Sequence, residues 1–479
     1  MSTLPTKLGS VLFMSTTSSS TSRPVSKITQ LLYAAGQGGN VVGDTLIQTF
    51  LLRFYLPPGG ESLFPTLIFG FLPAWVSVNL LARMVDAIAD PVVAARSDAS
   101  RHRFGRRRIF MMYGVLPLAV TSALLFFPPQ GEQSTQNFWF LLIVFSAYFV
   151  AFTVYVAPYL ALLPDVAKRA KERTDLSTLQ AVFALAGASL PGMLGPILFF
   201  SKDGVFREEM PALAVTMAFL SFLLMMLPIF GVKESALPET SASTDREADL
   251  GLVGQLKSAL EELKETVRDV HFKWYLVGTV CFFFAFNIIR AAAPFYVEVL
   301  MRRPLQELGG LMAVTFGVSF LAFFLVNPLT KKVGHRQMMV GASVLLSVTL
   351  CGTLVVDTHT QGYVLMGICG LPIAVLLSVP NAMLADICAA HSLRLGVKRE
   401  AMFFGAQGFF LKANLGLSSA ALGVLLTTLG NSVQSPLGVR LSGPMAALVL
   451  LIACAAFLRY ETPQISPTLE NDDVEGESL

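Results

Sequence analysis

Apolar runs of about twenty residues, the length that crosses a ~30 Å hydrocarbon core as a helix, recur along this 479-residue chain. Lipid offers no water to backbone amides, so repeated runs of this kind fold as packed spanning helices. Twelve are read, at 31–56, 63–95, 109–128, 138–163, 176–200, 211–231, 273–299, 305–329, 338–357, 361–386, 401–428 and 441–458. Only 14% of residues are charged, against about 25% in ordinary soluble domains. The expected fold class is therefore an all-α membrane protein with twelve transmembrane helices.

Basic residues orient these spans, because Lys and Arg collect in short cytoplasmic loops. Most of the 35 Lys and Arg residues fall on one side when both termini are placed in the cytoplasm. Arg53, Lys202, Arg207, Arg302, Arg303 and Arg440 fall on the other side or its border. The net charge of +3 then reflects a membrane-side stripe, and no nucleic-acid partner is expected. Five dispersed cysteines without CxxC spacing and five scattered histidines imply neither disulfides nor a metal hydrolase site. No nucleophile stands near a base or metal cluster at usable spacing, so an enzyme is not expected.

The chain divides into a Ser/Thr-rich cytoplasmic tail at 1–30, six spans at 31–231, a linker at 232–272, six spans at 273–458 and an acidic tail at 459–479. Val253, Leu256, Leu260, Leu263, Val267 and Val270 recur at three- and four-residue spacing, which makes the second part of the linker an amphipathic helix. The N-terminal tail is also compatible with an organelle transit peptide. A cell-membrane location with both termini inside is expected, an organelle membrane being the alternative.

Three cations lie inside spans, Arg83, Arg290 and Lys412, and two acids, Asp86 and Asp90, share one face of the second helix. Asp86 lies twelve residues deeper than Asp98, roughly 18 Å at 1.5 Å per residue. That depth is near the midplane, where ionisable groups are kept for an ion or substrate pathway. A desolvated acid keeps its charge by binding Na⁺ or takes up H⁺, so its occupancy can bias two access states.

The halves also look duplicated. FGRRRIFM at 104–111 recurs as VGHRQMMV at 333–340, and AKERTDLST at 170–178 is echoed by GVKREAMFF at 396–404, with offsets of 229 (Gly105 to Gly334) and 227 (Lys171 to Lys398). Parallel six-helix repeats of this kind describe the major facilitator architecture of two six-helix bundles.

ARMVDAIADP (82–91), SDASRHRFGRRR (97–108), PYLALLPD (158–165), the YAAGQGGN opening of helix 1 and the segment AMLADICAAHSLRLGVKREAMFFGAQGFFLKANLGLSSAALGVLL (382–426) resemble the glycoside-pentoside-hexuronide:cation symporters, the melibiose carrier group of that superfamily. The resemblance implies that Asp86 and Asp90 bind the coupling cation, as metal ligands if it is Na⁺, and that Lys412 on helix 11 faces them. Arg83, one turn from Asp86, joins this set. It also implies that Asp98, Arg101, Gly105, Arg106 and Arg107 form the gate loop between helices 2 and 3.

Departures fall on the substrate side. The helix 1 acid and helix 5 arginine of the sugar carriers are replaced by Val41 and Gln180, while Asp44 lies one turn beyond Val41 and Arg290 stands near Asn287. A buried arginine there suits a carboxylate, a hydroxyl cluster or a phosphate. The resulting expectation is a monomeric carrier that moves a small solute, most simply a sugar or glycoside, with Na⁺ or H⁺ and no cofactor. Asn40, Asp44, Gln180, Asn287 and Arg290 are the candidate substrate residues. Membrane lipids are its other partners. A lysolipid transporter and a transporter-derived ligand sensor are the alternatives.

Overall fold

The computed structural model describes residues 26–68, 72–100, 102–166, 170–202, 204–232, 261, 263–395 and 400–462. Most of the N-terminal tail, of the linker with its amphipathic segment and of the acidic tail lie outside the described residues, as do Arg101 and the Asp98 side chain.

Among the described residues the regular structure is helical apart from one antiparallel pairing of Leu67–Ile68 with Leu72–Pro73. In the first half α1 spans Lys27–Tyr55, α2 Ala74–Ala99, α3 Arg108–Leu124 and α4 Thr135–Ala161. Then α5 runs as Ala170–Ser189, passes a π-helical turn at Leu190–Leu194 and finishes as Gly195–Phe199, and α6 spans Phe206–Gly231. In the second half α7 spans Val270–Phe295 and continues through a π-helical turn at Tyr296–Leu300, followed by α8 Leu308–Val333, α9 His335–Cys351, α10 His359–Leu395, α11 Glu400–Leu429 and α12 Leu437–Arg459.

Local chemistry sets several boundaries. The side chains of Ser26, Ser134 and Asp269 accept from backbone amides in the first turns of α1, α4 and α7. Pro73 caps α2, and the apolar run expected from residue 63 therefore begins its helix only at Ala74. Pro65 precedes the short β pairing into which the stretch before α2 is diverted. The π turn of α5 begins beside Pro191, which lacks the amide an α-helical ladder requires.

Among the described residues nine helices are long and apolar enough to cross a membrane. The protein is an integral membrane protein, and large exposed apolar side chains such as Ile143, Leu198, Phe230, Leu321 and Val348 form its lipid-facing surface. α3 falls short by length and α1 and α2 by composition. The last two are the helices that carry Asp44, Asp86 and Asp90.

In the first half α1 packs on α5 and α6, α2 on α4, and α3 on α4 and α6; in the second, α7 packs on α11 and α12, α8 on α10, and α9 on α10 and α12. The halves meet along α1–α7, α2–α11 and α5–α8. Duplication is visible at backbone level. Gly105 and Gly334, 229 residues apart, both take positive φ (105° and 86°) between consecutive helices, a conformation costly for other residues. Arg108 then donates to the Ile229 carbonyl at the end of α6, and Arg336 to the Leu458 carbonyl at the end of α12, the donors being 228 and the acceptors 229 residues apart.

The α2–α11 seam depends on missing side chains. A β-carbon at Gly416 would lie 2.9 Å from Arg83 Cγ, and one at Gly423 would overlap the Trp75 ring, whose Nε1 donates to the Ser419 carbonyl at 3.0 Å. Gly423→Val is expected to destabilise the protein by about 1–3 kcal/mol through overpacking. Thermal unfolding in detergent checks it; an unchanged midpoint contradicts this close packing.

Candidate functional site

Two helices of the first half and one of the second bring the charged cluster together. Asp86 is 2% exposed, and its Oδ1 accepts from Thr153 Oγ1 on α4 at 3.0 Å. Asp90, one turn further along α2, accepts from the same hydroxyl through Oδ1 at 2.8 Å. A hydroxyl has one hydrogen, so it serves the two carboxylates alternately. Three oxygens thus converge on one point, a geometry suited to a small hard cation or a shared proton.

Lys412 reaches this point from α11 across the seam. Its Nζ lies 2.7 Å and 2.6 Å from Asp90 Oδ1 and Oδ2, and 3.5 Å from Asp86 Oδ1. Arg83 Nη1 meets Asp86 Oδ2 at 3.5 Å while its guanidinium lies over the Phe149 ring, 4.1 Å from the centroid. Four charges therefore balance, two acids against two bases. A cavity of about 200 Å³ between α2 and α11, lined by Leu80, Met84, Phe409 and Ala413 among others, borders the cluster.

A second cluster stands between α1 and α7. From Tyr33 to Tyr55 every residue of α1 is buried except Gln37, Asn40, Val41, Asp44 and Gln48, which form one stripe at helical spacing. Four of those five are polar, as expected of an aqueous path and not of a lipid face. Opposite, the stretch of α7 from Phe282 to Leu300 is buried except for Phe283, Phe286, Arg290 and Glu298. Arg290 Nη1 contacts Asp44 Oδ2 at 3.3 Å, joining the halves at this level.

Other expected substrate residues sit less directly. Gln180 is 9% exposed and donates to the Tyr159 hydroxyl at 2.9 Å, so its amide nitrogen is engaged inside the first half. Asn287 is 8% exposed, one turn before Arg290. Asn40 Oδ1 is buried with no hydrogen-bond partner.

Of the expected gate loop, Gly105 makes the turn, and Arg107 donates to the Ala161 carbonyl at the end of α4 at 2.5 Å. That contact lies within the first half; basic groups at helix C-termini are favoured by the unpaired carbonyls there. Two residues escaped the sequence reading. Thr153 lacked any signal, because its role appears only when α4 is laid on α2. The other is Glu298, which takes Arg53 Nε at 2.5 Å and Nη2 at 2.6 Å in a bidentate pair across the α1–α7 seam. The histidines are also less isolated than expected, His335 lying 3.1 Å from Asp386 and His359 3.0 Å from Glu307.

Comparison with known proteins places the chain in a family. The chain is 22% identical to the uncharacterized symporter sll1374 of Synechocystis, over 85% of this chain and 87% of that protein. It is 23% identical to the isoprimeverose transporter of Lactiplantibacillus pentosus, over 89% and 87% respectively. Among solved structures, a bacterial homolog of the human lysosomal transporter Spinster, in an inward-facing occupied conformation, shares the fold at a TM-score of 0.65 and 13% identity, covering 93% of this chain and all of that one. The MFS/sugar transport protein family matches residues 32–459, and the chain, a transporter and not an enzyme, belongs to it.

Proposed function

We infer that the protein is a cation-coupled symporter with twelve transmembrane helices in two six-helix bundles, both termini cytoplasmic, and that it moves a small polar solute by alternating access. Sugars and glycosides are the first class to test, since a relative carries the name of an isoprimeverose transporter. The observation that carries the reading is the pairing of Asp86 and Asp90 through Thr153, with Lys412 meeting both acids from across the seam. A neutral four-charge cluster has no free site for a cation while Lys412 lies on Asp90. Na⁺ or H⁺ binding at the two acids displaces the ammonium and so weakens a contact between the halves. Occupancy and conformation are linked through that exchange, because a ligand shifts an equilibrium only by its differential affinity for the two states.

The deciding experiment is uptake by proteoliposomes under an imposed Na⁺ or H⁺ gradient, with accumulation above the external concentration expected for one of the two. Equilibration without accumulation, under either gradient, refutes symport. Thr153→Val tests the ligand set. Loss of a hydrogen bond to a charged group, about 1.5 kcal/mol, is expected to raise the half-saturating cation concentration roughly tenfold. An unchanged value removes the hydroxyl from the site.

A further inference from the structure

The contact between Asp44 and Arg290 is balanced in charge but incompletely bonded. Arg290 uses Nη1 on Asp44, whereas its Nε is buried and has no hydrogen-bond partner. Asn40 Oδ1, one turn before Asp44 on the same stripe of α1, is likewise buried and unpartnered, and Gln37 Oε1 repeats the condition one turn earlier. A spare donor thus belongs to the cation itself, and a spare acceptor stands one turn from the anion with another a turn beyond it. A buried polar atom without a partner requires a physical account, and completion by a ligand or water is one.

Resting on the symport reading, we propose that the solute is an α-amino acid or a similar zwitterion, its carboxylate on the Nε edge of Arg290 and its ammonium held by Asp44 with Asn40 Oδ1. Charge selects this class. A simple anion at Arg290 would stand beside the Asp44 carboxylate, and a simple cation at Asp44 beside the guanidinium. A neutral polyol would have to part the two ions with dipoles alone. A zwitterion replaces one ion pair by two and leaves the total charge unchanged, while filling the side-on guanidinium edge that favours carboxylates. Asp44 Oδ2 and Arg290 Nη1 are in direct contact at 3.3 Å, so the two subsites are neighbours, as an amino and a carboxyl group borne by a single carbon require. Phe286, one turn before Arg290 and partly exposed with its ring centroid 5.7 Å from the guanidinium carbon, offers an apolar wall for the side chain.

The test is a thermal-shift screen of the purified full chain in Na⁺-containing, mildly acidic buffer, using each proteinogenic L-amino acid singly, with melibiose and glucuronate as sugar comparators. At least one amino acid is expected to raise the apparent Tm, and its deaminated and decarboxylated counterparts are not. Asp44→Asn and Arg290→Gln are each expected to weaken that amino acid at least tenfold. Should either fail to elute as a monodisperse protein, Asp44→Glu and Arg290→Lys serve in its place, since both alter the fork geometry while keeping charge. The proposal is overturned if no amino acid shifts the Tm, if a counterpart bearing one charge binds as well, or if binding survives the substitutions. Uptake separates it from the symport reading. Uphill accumulation of a glycoside with no amino acid bound removes the solute assignment alone, and amino acid binding with purely downhill flux removes symport alone.

Discussion

Asp90→Asn is expected to abolish gradient-driven accumulation, with the inside-to-outside solute ratio falling to unity, while the protein remains folded and still exchanges solute downhill. An amide cannot be neutralised by an incoming cation, and it holds Lys412 only as a neutral acceptor. Lys412 Nζ, now 2.6 Å from Asp90 Oδ2, is left with Asp86 Oδ1 at 3.5 Å as its charged partner. The seam between α2 and α11 then has the same strength whether or not a cation is present, and coupling is lost without loss of the path. Asp86→Asn should be harsher, since Asp86 is 2% exposed and also faces Arg83. Removing one partner of a buried pair strands the other charge, at a cost of about 3–5 kcal/mol. Reconstituted uptake with and without an ion gradient checks both. Uphill uptake unchanged in Asp90→Asn would falsify the coupling role.

Legibility of the site in the sequence follows from how its parts are spaced. Asp86 and Asp90 announce themselves because two acids four residues apart in an apolar run can share one face, and the structure joins both to a single hydroxyl. Lys412 and Arg290 stand out for the same reason, as cations where lipid or packing would favour neutral groups. Asp44 was legible as an acid in the first span, and its partner on α7 is the arginine singled out beside it. Thr153 was invisible, because threonine is common in spans and only the packing of α2 on α4 gives it a role. Gln180 read as a substrate residue on the strength of its position in a motif, yet its amide nitrogen is engaged by Tyr159. Span limits were least legible where proline acts: α2 begins eleven residues later than its apolar run, at the Pro73 cap. Arg53 was read as a loop-side cation at the border of helix 1. It is 7% exposed because an acid eight residues beyond Arg290 on another helix meets it.

Separating Arg53 from Glu298 is expected to have the next largest effect. The pair is bidentate, its side chains are 9% and 20% exposed, and Arg53 also lies 4.2 Å from the Phe206 ring centroid. Nine residues along α1 from Asp44 and eight along α7 from Arg290, it is the second ionic tie between the same two helices. Further contacts at this end join the halves, Asn431 Nδ2 donating to the Leu56 and Pro57 carbonyls and Trp75 Nε1 to Ser419. If the halves rock about the central clusters, this end opens as the other closes, and the pair must break once per cycle. Glu298→Gln strands a buried guanidinium, about 3–5 kcal/mol by the rule for broken buried pairs. The closed arrangement should lose population by two orders of magnitude or more, and net uptake should fall with it. The charge swap Arg53→Glu with Glu298→Arg restores opposite charges across the seam and is expected to recover part of the loss. A double-mutant cycle on uptake measures the coupling between the two positions. Additive losses with no recovery in the swap would make the pair incidental to the closure of the α1–α7 seam, and would leave the smaller polar contacts at Asn431 and Trp75 to hold that end.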